Sequence, residues 1–193
     1  MLNDDRLDVL RAVVDARMKA AADLASAEAF EEFFDRTMRA HLVETLAAAQ
    51  AHEGTVWLLD ETRSQLVPRF NSGPNAATFV GSFRQSLRAG MISMVVATEQ
   101  PICENAVHQN QQQDKSLDHQ LQLVTCAMLA VPFYFSGALR GVISAVQLKA
   151  SGAAPEPPGF TAANLATLQL AAEVLSRMVE HQLLSLALGR EDF

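Results

Sequence analysis

The stretch 126–150, CAMLAVPFYFSGALRGVISAVQLKA, decides the fold. In its first run, 127–135, Leu129, Val131, Phe133 and Phe135 alternate with their neighbours, which is the pattern of a half-buried strand. Its second run, 139–149, is eleven residues long, contains no proline and carries Val142, Ile143 and Val146. That profile belongs to a strand inside a sheet. Ser136-Gly137 lies between the runs, and glycine reaches positive φ at little cost, so a tight hairpin is expected.

Upstream, GTVWLLD (54–60) and QLVPRFN (65–71) read as two more strands joined by the polar turn 61–64. Both faces of the first are apolar, so it is expected to be covered on both sides. Pro68 has no N–H for a ladder, which places the second at an edge. Residues 4–24 read as a helix with Leu7, Leu10, Val14, Met18, Ala21 and Leu24 in one stripe. Ser26 is expected to cap a second helix that buries Phe30, Phe33, Phe34, Met38, Leu42 and Leu46 and runs to about 50. Short helices are expected at 79–87 and 91–98, a short strand at 102–105, and a helical turn within 118–124. Three prolines mark 151–159 as a loop. Thr161 then caps a last helix, 161–184, whose stripe Leu165, Leu168, Ala172, Leu175, Val179 is widened by Leu170, Val174 and Met178.

Composition narrows the function. The chain has 193 residues, 49% of them hydrophobic, enough for one well-cored domain. A net charge of −7 argues against nucleic acid, whose phosphates call for clustered Lys and Arg. Two cysteines, Cys103 and Cys126, make no disulfide framework and suit a reducing cytoplasm. The acidic N-terminus lacks the apolar segment of a signal peptide, and no window is apolar enough to span a membrane.

Four stretches in register resemble the GAF domain, a sensory module of signalling proteins: FEEFFDRTMRAHLVETLAAAQAHEGTVWLLDE (30–61), AGMISMVVATEQPI (89–102), MLAVPFYFSGALRGVISA (128–145) and FTAANLATLQLAAEVLSRMVEHQLL (160–184). The likeness covers about 26–187, after a helical leader (1–25) and before a short tail (188–193). It implies an α+β fold: a central antiparallel sheet, terminal helices on one face, a ligand pocket and its lid on the other. It also implies a non-enzymatic cytoplasmic regulatory module that binds a small molecule. With no output domain after the last helix, the module is expected to act in trans on a separate signalling protein, as a homodimer through its terminal helices. Where the family has an Asp-rich stretch after the short strand, this chain has Glu104-Asn105-Ala106-Val107 and then a glutamine run, so the resemblance names no ligand or cofactor.

The lid is expected at 104–124. Glu104, His108, Asp118 and His119 are its expected polar contacts, with Thr125, Phe83 and Met94 as the wall. Packing of Phe79, Phe83, Met91 and Met94 into the core is the competing reading, and it would make the protein a scaffold with a closed pocket. A second alternative is a small redox enzyme resembling free-methionine-(R)-sulfoxide reductase, whose pocket cysteines attack and resolve. The matching segment here reads GMIS, without cysteine. His108, Asp114, Asp118 and His119 match no metal-binding spacing, so no metal is assigned.

Overall fold

The computed structural model describes residues 5–26, 30–150 and 154–188. Its strands, numbered in chain order, are β1 Glu53–Leu59, β2 Gln65–Asn71, β3 Gln85–Ser86, β4 Ile102–Glu104, β5 Val124–Phe135 and β6 Ala138–Lys149. They form one antiparallel sheet in the order β3-β2-β1-β6-β5-β4. The β5–β6 hairpin lies at its middle, as the alternation predicts. Ser136 and Gly137 both take positive φ, 52° and 68°, the twist that a two-residue hairpin requires. Cys126 is the extra residue of a bulge, because Thr125 pairs with Leu148 and Ala127 with Gln147. β2 is not the edge strand that Pro68 suggests, because the two-residue β3 lies outside it; Pro68 is tolerated since β3 pairs only with Gln65 and Leu66, and the Pro68 carbonyl accepts from Gly81 N.

The helices are α1 Asp5–Ser26, α2 Phe30–Phe33, α3 Arg36–Ala48, α4 Ala76–Phe79, α5 Met91–Thr98, α6 Ser116–Leu121 and α7 Ala162–Ala187. Alternation along the strands divides the core in two. Val56, Leu58, Leu129, Val131, Phe133 and Ile143 face the terminal helices, where they meet Phe34, Leu42, Leu168 and Leu175. Trp57, Leu59, Ala130 and Val142 face α5. The expected last helix is present, and Thr161 and Asn164 form a reciprocal capping box.

Two expected helices also change. The helix expected from Ser26 to about 50 is broken: Ser26 ends α1, residues 27–29 lie outside the described residues, and Asp35 starts α3 by accepting from Met38 N at 2.9 Å. The aromatic stripe hides this cap, because Phe30 and Phe34 stack on each other across the break. The helix expected at 79–87 is not formed either. The chain is helical only over Ala76–Phe79, Gly81 turns it at φ +76°, and Gln85–Ser86 joins the sheet edge. Phe83 and Leu87 still pack inward, which is why periodicity alone suggests a helix.

Candidate functional site

The sheet face opposite the terminal helices is not fully covered. Near the start of β1 the alternation that buries Val56 and Leu58 against the helices sends Glu53, Thr55 and Trp57 to the other side. On β6 it sends Ser144, Val146 and Leu148 there, and on β5 Thr125 and Met128. Gly90 and the first two residues of α5, Met91 and Ile92, wall this floor, and the segment 113–123 crosses above it. Between them lies a cavity of about 80 Å³. A single water needs on the order of 10–15 Å³, so there is room for a small organic molecule or several waters.

Asp118 pins the lid to the floor. Its carboxylate accepts from Thr125 N at 2.9 Å, from Thr125 Oγ1 at 2.7 Å and from Gln113 Nε2 at 2.9 Å. Gln113 Oε1 is buried and has no hydrogen-bond partner among the described residues. Gln85 ties the sheet edge to the lid by donating to Asp114 Oδ2 at 3.0 Å and to Ala89 O at 2.8 Å. Hydrogen bonds from Ser116, and one from Gln85, hold the Asp114 carboxyl below the usual carboxylate range. In the floor, Trp57 Nε1 donates to Ser144 Oγ at 3.0 Å, and Asn71 Nδ2 donates to Thr55 Oγ1 at 2.9 Å.

Glu53 is buried beside them. Its partner is again Asn71 Nδ2, at a long 3.4 Å. Burial pushes its carboxyl above the ordinary 4.5, and the Asn71 bond and nearby His52 offset that in part. Gly73 packs against this carboxylate, and any side chain at 73 would run into it. Glu53, Asp114 and Asp118 all line the cavity, while no Lys, Arg or His among the described residues does.

Of the residues expected from the sequence, the structure brings Asp118 and Thr125 to the cavity. Glu104 instead shapes the entry to the lid, accepting from Ala106 N at 2.9 Å and Asn110 Nδ2 at 3.0 Å, bonds that lower its carboxyl. His108 and His119 lie along a shallow outer groove with Lys115 and Gln122. Phe83 meets Trp57 edge-on, 6.2 Å between centroids, and belongs to the packing beside the floor. Met94 is on the outer side of α5, beside Gln111 and Gln112, and Met91 and Ile92 take the wall. Glu53, Gln85, Gln113 and Ser144 line the cavity without having been expected there. Glu53 and Ser144 do carry a signal in the sequence: a carboxylate beginning an apolar strand, and a hydroxyl in the middle of one.

A second cluster lies beyond the cavity. Donor atoms of His108, Cys126 and Glu156 fall within 4.8 Å of one another, so among the described residues this is the group that could hold a metal. Lys149 already bonds the Glu156 carboxylate there. Burial, then Glu156, pushes the Cys126 thiol up to about 11, so it is held protonated. Cys103 is exposed on β4, where its thiol reaches Phe160 O at 3.7 Å, and neither cysteine lines the cavity.

The GAF domain family model matches residues 27–180. The chain belongs to the GAF domain family. No curated protein matches the sequence, but solved structures do. The GAF domain of the Acinetobacter phosphoenolpyruvate-protein phosphotransferase is similar at 18% identity and a TM-score of 0.59, over 97% of this chain and 99% of that one. The GAF-B domain of DevS from Mycobacterium smegmatis is similar at 20% identity and 0.55, over 75% and 91%. The free methionine-R-sulfoxide reductase of Neisseria meningitidis, solved with its substrate, is similar at 16% identity and 0.52, over 94% and 96%. At such identities the likeness is one of fold. This GAF domain keeps the α+β architecture of these GAF domains and of the reductase alike, and function has to be argued from its own cavity.

Proposed function

We infer that this GAF domain is a non-enzymatic regulatory module that binds a small molecule in the cavity beneath 113–123. The observation that carries this is the convergence of buried polar groups on an apolar-walled cavity, under a segment fastened by Asp118 to Thr125. A ligand that fills the cavity would order this segment and change the surface it presents to a partner. The non-enzymatic reading is supported by the cysteines. A thiol catalyst needs a thiolate at its substrate; Cys103 is turned toward Phe160, and Cys126 is buried as a thiol.

No helix among the described residues is long and apolar enough to cross a membrane. A cytoplasmic location is our proposal, resting on two cysteines left unpaired. A homodimer through the terminal helices is proposed on Leu170 and Val174 of α7 and Val9, Leu10 and Val13 of α1, which remain exposed.

Native mass spectrometry of freshly purified protein tests the function. A non-covalent small-molecule adduct is expected, and it should be absent from Leu121→Trp, which fills the cavity from the half-exposed lid. A bare mass in both proteins would overturn the reading.

A further inference from the structure

Among the side chains that line the cavity, two buried acceptors stand out as poorly met. The side-chain nitrogen donors that line it are already engaged: Trp57 Nε1 on Ser144, Gln85 Nε2 on Asp114 and Ala89, and Gln113 Nε2 on Asp118. Two side-chain acceptors lack a good partner. Gln113 Oε1 has none among the described residues, and the Glu53 carboxylate is met by Asn71 only at 3.4 Å. A buried acceptor left unpaired is costly, so these two atoms favour a ligand that donates.

Charge points the same way. Three carboxylates line the cavity and no side-chain cation among the described residues does. A ligand phosphate or carboxylate placed there would face like charges across a partly enclosed space, where repulsion is stronger than in bulk solvent. A cation would relieve that repulsion. The rest of the wall is apolar, with Met91, Ile92, Leu121 and Leu148 in contact with the space.

We propose that the ligand of this cavity is a small organic cation: an ammonium or amidinium group donating to Glu53 and Gln113, on a short aliphatic or aromatic body lying against the apolar wall. This deepens the small-molecule reading and rests on it. On this proposal the cavity disfavours nucleotides and other anionic signals, because no side-chain cation among the described residues lines it to neutralise them. Glu53 supplies the charge that attracts the ligand, and its burial keeps water from competing for it.

The test uses three probes of one skeleton: phenethylamine, 2-phenylethanol and 3-phenylpropanoate, titrated into the full chain by calorimetry and by thermal shift. Phenethylamine is expected to bind saturably and raise the melting temperature, the alcohol to bind more weakly, and the carboxylate not at all. Glu53→Gln should weaken the amine by about tenfold or more and leave the alcohol within about twofold. Gln113→Lys places an ammonium at the cavity from the half-exposed lid, where folding is least at risk. It should abolish amine binding and admit the carboxylate. Carboxylate binding to the unmodified chain as tight as amine binding would overturn the cation assignment. So would an amine affinity unchanged in folded Glu53→Gln and Gln113→Lys. Either result would leave the small-molecule reading in place. If none of the three probes binds, the cation assignment is wrong, and the small-molecule reading is decided separately by whether the protein as purified carries a small-molecule adduct.

Discussion

Asp118 on α6 and Thr125 at the head of β5 are joined twice, by Thr125 N at 2.9 Å and Thr125 Oγ1 at 2.7 Å to the two oxygens of one carboxylate. This is where the lid is fastened to the sheet, and Gln113 adds a third donor from the far side of the lid. Removing the carboxylate strands all three. Asp118→Ala should cost about 1–3 kcal/mol in urea unfolding, the usual penalty for leaving partly buried polar groups unpaired. Hydrogen exchange should rise over 113–123 and stay unchanged over 139–149. A rise spread evenly over the sheet would mean that Asp118 supports the fold rather than the lid.

Glu53 should leave a mark on the pH dependence of stability. Its folded pKa is raised by burial, so the folded state holds this proton more tightly than the unfolded chain does. Stability from this group is therefore greatest below the unfolded value near 4.5 and declines as pH rises through the folded value. Glu53→Gln removes the titration. The stability of the wild type minus that of Glu53→Gln should fall from pH 4.5 upward and then level off. A difference that grows with pH would contradict the assignment.

The two stripes of α7 should respond in opposite ways. Leu175 is 0% exposed in the sheet-side core, and Leu170 is 62% exposed on the other side. Leu175→Ala should cost about 2–5 kcal/mol as a core truncation. Leu170→Glu should leave the melting temperature of the folded chain nearly unchanged and reduce the mass seen by light scattering at micromolar concentration. An unchanged mass would remove α7 from any dimer interface.

The thiols should separate by reactivity. Cys103 is exposed and Cys126 is 1% exposed and protonated. A disulfide reagent at neutral pH should modify Cys103 first, slowly for a surface thiol, because burial and Glu104 also raise its pKa. Cys126 should react only on unfolding. Fast native modification of Cys126 would show that the His108–Glu156 neighbourhood opens.

The strands are legible in the sequence because period-two alternation is a strong signal when one face is buried. Leu129, Val131, Phe133 and Phe135 share one side by their spacing alone, and they do pack together against the terminal helices. Thr161 is legible as a cap for a similar reason: a hydroxyl residue directly precedes a long apolar period. The lid is legible as a segment but not residue by residue. A polar, glutamine-rich stretch has no hydrophobic phase, so nothing local distinguishes Gln113, which reaches the cavity, from His108, which does not. Asp118 and Thr125 lie within the lid or directly after it, so a reading of that segment reaches them. Glu53 and Gln85 come from the other half of the sheet, and only the pairing of β1 with β6 and of β2 with β3 brings them to the site.

The central claim is that a small molecule occupies the space between 113–123 and the sheet. It is tested most directly by hydrogen exchange on the protein as purified, on the same protein stripped of small molecules by unfolding and refolding, and on stripped protein given back the released small-molecule extract. The account predicts that 113–123 exchanges slowly as purified, faster when stripped and slowly again after add-back, with 139–149 protected throughout. Identical exchange over 113–123 in all three samples, or protection gained only along α7, would contradict it.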